Sequence, residues 1–192
     1  MAERSGSVAE VVRSVELILD DQLARRPQWA TELGDHRGDA RLDDWSRDAV
    51  DDRLIATRAH RATLAALDVS AVPPELAVDA AILADYLDAS AFALAELREH
   101  EWNPMVHLPG EALHALLARP FAPLEERLRA FVDRLVALPD ALATARTVLG
   151  PMPPIHAGTA RDQATGIAGM ITHGSDEALE EAPALRGLIT AA

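Results

Sequence analysis

Apolar positions recur at three- and four-residue steps along most of the chain, the spacing that lines one face of an α-helix. Val8, Val11, Val12, Val15, Ile18, Leu19 and Leu23 form the first such stripe, with Pro27 and Gly34 bracketing its end. Val50, Leu54, Leu64 and Leu67 form a second, behind Ser46 as an N-cap, and predict a helix to about residue 68. Pro73 and Pro74 stop it, because proline cannot continue a helix. Ile82, Leu83, Tyr86, Leu87, Phe92, Ala93, Leu94 and Leu97 predict the longest, most apolar and central helix. A short helix is expected over 111–119. Pro123 then opens another, with Leu124, Leu128, Phe131, Val132 and Leu135 as its stripe and Glu125 and Arg129 as an exposed pair. Pro139 is expected to start a separate helix ending at Gly150, residues 150–156 an extended connector, and two weaker helices to occupy 158–172 and 175–190. No run alternates as a strand would. The expectation is an all-α, multi-helix bundle of about seven or eight helices forming a single domain over 1–192.

Charge and composition narrow the partners. The formal net charge of −13 opposes binding to nucleic acid or anionic lipid, which needs clustered positive charge. The absence of cysteine removes disulfides, thiolate metal sites and a Cys nucleophile. No window approaches a membrane span and the first residues do not read as a signal peptide, so a cytoplasmic protein is expected. All the basic side chains are Arg, which reads as genome composition rather than chemistry.

Catalytic motifs are missing. His36, His60, His100, His107, His114, His156 and His173 include no pair four residues apart, and His100-Glu101 runs into Trp102-Asn103-Pro104 instead of a second His. Glu111 and His114 make one carboxylate-to-His step of the kind di-iron bundles need twice, with two further Glu. Asp85 and Asp88 read as a solvated helix face, and His60 as a boundary residue packed over the core. No Gly-x-Ser-x-Gly elbow and no phosphate loop occurs. The expected catalytic residues, metal ligands and cofactors of this chain are therefore none.

Two connectors carry what remains. In "WATELGDHRGDARLDDWS", 29–46, Gly34 and Gly38 permit turns, Asp35 and Asp39 can bond their own backbone, and Ser46 caps the next helix. Trp29 and Trp45 would anchor its ends, leaving Arg37 and Arg41 to pair with carboxylates. In "EWNPMVHLPG", 101–110, Trp102, Asn103 and His107 could bind a ligand; the alternative makes Trp102 a core plug and Asn103 the cap of a turn before Pro104. Asp35, Arg41, Trp102, Asn103 and His107 are the candidate substrate-binding residues, for a peptide or a small molecule.

Taken together, "ATELGDHRGDARLDDWS", then "ELREHEWNPMVHLPGEALHALLARPFAPLEERLRAF", then "PPIHAGTARDQATGIAGMI" resemble, from about residue 10 to 190, the amino-terminal half of a bacterial helical family, domain of unknown function 885. The resemblance implies an all-α lobe forming one wall of a substrate cleft. Full-length members look like zinc-dependent metallopeptidases with a His-Glu-x-x-His-like helix in the carboxy-terminal half, a motif without counterpart here. The last residues stop on a helical pattern without a cap, so a truncated product, or a relic with another task, is expected. Three functions follow: an inert amino-terminal lobe partnered by a carboxy-terminal half, a stand-alone small-molecule enzyme or binding protein, or a helical module self-associating through exposed apolar surface.

Overall fold

A computed structural model describes residues 2–70 and 72–181, and among them it holds seven α-helices and no strand. The contacts group into two compact units. One contains the chain up to Arg25 and Arg47–Glu99; the other contains Arg26–Ser46 and the chain from His100 onwards.

In the first unit, helices α1 (Ala2–Arg25), α3 (Arg47–Ala65) and α4 (Pro74–Phe92) each supply one buried stripe. Ile18, Leu64, Leu83 and Leu87 meet in its core, with Val15, Leu67, Ala84 and Tyr86 against them. The helix predicted to be longest is not. α4 has 19 residues against 24 in α1, and it supplies Leu83 and Leu87 to the core beside Ile18 of α1 and Leu64 of α3. Successive residues on a helix point about 100° apart, so Ile82 and Leu83 cannot both face inward. Leu83 is buried, whereas Ile82 is 62% exposed. Phe92 and Leu97 are exposed as well. Beyond Phe92 the helix widens into a π-turn over Ala93–Leu97, closed by the left-handed Arg98 (φ 50°), whose N–H donates to the Ala93 carbonyl. His60 is the expected boundary residue, with Nε2 2.7 Å from Asp21 Oδ2. Burial pushes the Asp21 carboxyl up, but hydrogen bonds from Arg25 and His60 outweigh it and hold the group below its ordinary range.

The second unit begins with α2 (Pro27–Leu33), a separate short helix where the sequence predicted only the end of the first. Pro27 lacks the N–H that would continue α1 and pushes Arg26 out of helical geometry (φ −132°, ψ 68°). Gly34 ends α2 at φ +90°, a left-handed conformation natural to glycine, with its N–H on the Thr31 carbonyl. Helices α5 (Gly110–Ala118), α6 (Leu124–Val148) and α7 (Pro154–Glu181) follow. Leu113, Leu116 and Phe131 form their core, with Leu117, Ile167 and Met170 packed against it. Arg129 and Glu125 form the expected exposed pair on α6.

Both predicted breaks in the last two helices are absent. α6 runs through Pro139, because its buried positions keep phase across it: Phe131 and Ala145, like Arg134 and Val148, are separated by about four turns. α7 is one helix from Pro154 to Glu181, replacing two weaker ones; residues 182–190 of the second lie outside the described residues. Gly174 serves close packing, not termination, since a Cβ there would meet Leu117 Cδ1 at 2.7 Å. Arg127 lies buried at the end of α5 and donates to the carbonyls of Leu116, Leu117 and Ala122, satisfying groups that a helix end leaves open.

Candidate functional site

The connector 34–46 is held in place by buried polar groups. Asp43, 7% exposed, accepts the Gln28 N–H at 3.0 Å and returns its own N–H to Gln28 Oε1 at 2.8 Å. It caps α2 from fifteen residues away, a task that Arg26 at the N-cap position does not perform. Arg134 of α6, fully buried, reaches the other side of the same segment. Its Nε donates to the Arg41 carbonyl at 2.9 Å, one terminal nitrogen to the Ala112 carbonyl at 2.8 Å, and the other to Thr31 Oγ1 at 2.7 Å. Thr31 Oγ1 in turn lies 2.6 Å from Asp39 Oδ1, and Asp39 Oδ2 lies 3.0 Å from His36 Nδ1. The His36 ring stacks on Phe121.

Local chemistry explains the rest of the segment. Asp35 accepts the Arg37 N–H and pairs with the Arg37 guanidinium at 2.6 Å, which lowers the pKa of its carboxyl, against slight desolvation. Asp39, expected to bond its own backbone, is used by Thr31 and His36 instead. Arg41, expected to pair with a carboxylate, has none within ion-pair distance among the described residues; its carbonyl does the structural work. Ser46 precedes α3 and gives its N–H to Asp44 Oδ1 at 2.8 Å. Trp29 lies within α2, in cation–π contact with Arg26.

The second connector folds as two 3₁₀ turns, Glu99–Glu101 and Pro104–His107. Asn103 caps the second turn by accepting the Met105 N–H at 3.1 Å. Trp102 is partly buried and meets the His156 ring edge-on, so it is not a core plug. His107 Nε2 lies 2.8 Å from the His100 carbonyl, which can only accept, so that nitrogen carries the proton. Trp45 stacks near His100 and meets His107 edge-on at 5.7 Å.

Two of the five predicted residues converge. Arg41 and His107 line a cavity of about 330 Å³, together with Trp45 and the α6 residues Leu138 and Asp140. Asp35, Trp102 and Asn103 do not line it. Trp45, read from sequence as an anchor, and Asp140, unread, do. The buried Arg134 was also missed, although its spacing from Arg127 and Phe131 puts a guanidinium on the apolar face of α6. Glu111 and His114 line a different cavity with Gln163 and Met170, of about 640 Å³. Among the described residues, no three His, Asp or Glu converge as a metal site would need.

The sequence matches the family profile of DUF885, a bacterial protein of unknown function, over residues 27–192. The chain belongs to the DUF885 family. Comparison with curated proteins gives no match. A solved structure, that of a candidate lipoprotein of unknown function from Shewanella oneidensis, superposes on this DUF885 chain with a TM-score of 0.83 at 21% identity. The match covers 94% of this chain and 34% of the other, so the chain spans about a third of that structure's length. At that identity the likeness carries the fold alone. No described helix is long and apolar enough to cross a membrane.

The candidate site makes the stability of the DUF885 chain depend on pH. Burial holds the His107 imidazole below its ordinary 6.5, against the opposing effect of its bond to the His100 carbonyl. The folded chain thus resists a proton that the unfolded chain accepts. Stability from this source is complete above the unfolded value and drains as pH falls through the lowered folded one. The urea midpoint is expected to drop between about pH 7.5 and 5.5, with a shallower drop in His107→Gln. Equal slopes in the two proteins would refute the assignment.

Proposed function

We propose that this DUF885 chain serves as the amino-terminal helical lobe of a zinc-metallopeptidase-like protein, where it forms a wall of the substrate cleft and hydrolyses no peptide alone. The supporting observation is coverage: nearly the whole chain matches about a third of a larger fold. Zinc and the catalytic helix belong, in this reading, to a carboxy-terminal half, which is the lobe's partner in the cytoplasm. The test is to supply the purified chain with zinc and a panel of peptides. No turnover is expected. Zinc-dependent cleavage abolished by a chelator would overturn the reading.

A second reading, a small-molecule binding site, is favoured by the cavity in which Arg41 and His107 meet. It is compatible with the first, since a cleft wall can carry a subsite of its own.

A further inference from the structure

We infer that the cavity beneath residues 40–45 binds a zwitterion the size of a single α-amino acid with an apolar side chain, its carboxylate on Arg41 and its ammonium on Asp140 and Asp44. The inference deepens the second reading above and rests on it.

The charges lining the cavity divide into those the fold uses and those it leaves available. Asp43 is committed to the Gln28 N–H, with Arg26 Nε 3.6 Å from its other oxygen. Arg41 gives its carbonyl to Arg134 and keeps an exposed guanidinium with no carboxylate partner. Asp140 makes no hydrogen bond or ion pair among the described residues. Asp44 spends Oδ1 on the Ser46 N–H and keeps Oδ2. A cavity offering one unpaired cation and two available carboxylates disfavours a ligand of either single sign. A simple anion would face Asp44 and Asp140, and a simple cation would face Arg41. A ligand with both charges a few bonds apart satisfies all three groups.

The remaining walls fit the other parts of such a molecule. Leu42, Trp45 and Leu138 supply apolar surface for a side chain. His107 donates its Nε2–H to the His100 carbonyl, and its Nδ1 lone pair, without a protein partner, can accept an N–H from the ammonium. The volume of about 330 Å³ lies at the small end of ligand sites, which suits a single residue. Charge-assisted bonds at both ends give the orientation.

The test uses the full chain and five probes: L-leucine, leucinamide, which lacks the carboxylate, N-acetyl-leucine, which lacks the ammonium, and indole and isobutylamine, which are not zwitterions. Titration followed by NMR is expected to shift the Trp45 indole and His107 ring signals with leucine, and to show each analogue binding at least tenfold more weakly. Arg41→Gln keeps the carbonyl that Arg134 needs and should weaken leucine at least tenfold while leaving leucinamide no weaker. Asp140→Asn should weaken leucine and leave N-acetyl-leucine no weaker. If leucine and both analogues bind alike at the cavity, the zwitterion is overturned and the small-molecule reading stands. If no probe, indole and isobutylamine included, shifts the Trp45 and His107 signals, both are overturned.

Discussion

Replacing Arg134 by Met is expected to cost about 3–5 kcal/mol of stability. The guanidinium is fully buried and has no direct carboxylate partner. Burial pushes it below its ordinary pKa, and the more distant Asp39, Asp43 and Glu32 push back; an arginine stays charged regardless. What holds it is a set of fixed acceptors on three segments: Thr31 of α2, the Arg41 carbonyl of the connector and the Ala112 carbonyl of α5. Met fills much of the volume but deprives those acceptors of a donor with no water to replace it, and removes the charge that offsets the three acids. Swapping a complete buried polar set for apolar residues can be neutral; removing only the cation is not. Arg134→Lys keeps the charge but presents its donors from one point instead of a fork, so it should recover only a minor part. Urea unfolding followed by tryptophan fluorescence reads the right unit, since Trp29, Trp45 and Trp102 all belong to it. A cost below about 1 kcal/mol for Arg134→Met would show that the acceptors find other donors.

How far the molecule was legible beforehand follows from where local rules decide the outcome. Helical period placed nearly every helix, because each buries one stripe and the stripe is visible in sequence. Rules for helix breakers misled at Pro139, where tertiary packing won. The phase of the buried face carried α6 across its proline, and α7 continues past Gly174, against which Leu117 packs closely. In the site, Arg41 and His107 were recognisable because unusual residues in irregular segments invite attention. Trp102 and Asn103 stand next to His107 in sequence, yet the 3₁₀ turn that Asn103 itself caps sends them away from the cavity. Asp140 was hidden because it follows Pro139 and read as the start of a new helix. Arg127 and Arg134 left a trace at stripe spacing, but a charged residue is so seldom fully buried that the spacing argued against them.

Asp43→Ala is expected to cost about 2–3 kcal/mol, and Asp43→Asn about 1 kcal/mol or less. Helix α2 has only seven residues, too few to persist without tertiary support. Its first residue is Pro27, which has no N–H, so the first donor that needs a partner is that of Gln28. Asp43 Oδ1 provides the partner, while Gln28 Oε1 takes the Asp43 N–H in exchange. Alanine removes the acceptor and leaves a partly buried N–H without its protein partner. It also takes away the carboxylate nearest to Arg26, whose Nε is buried without a hydrogen bond and lies 3.6 Å from Asp43 Oδ2. Asparagine keeps the acceptor and loses only the attraction across that longer distance. Urea unfolding gives the two costs, and amide exchange at Gln28 separates their causes: the N–H should exchange faster in the alanine variant and stay protected in the asparagine one. Should asparagine prove as damaging as alanine, the charge beside Arg26, not the cap, holds the connector. Gln28 and Asp43 also line the cavity, so a loosened cap should weaken leucine binding even with Arg41 and Asp140 intact.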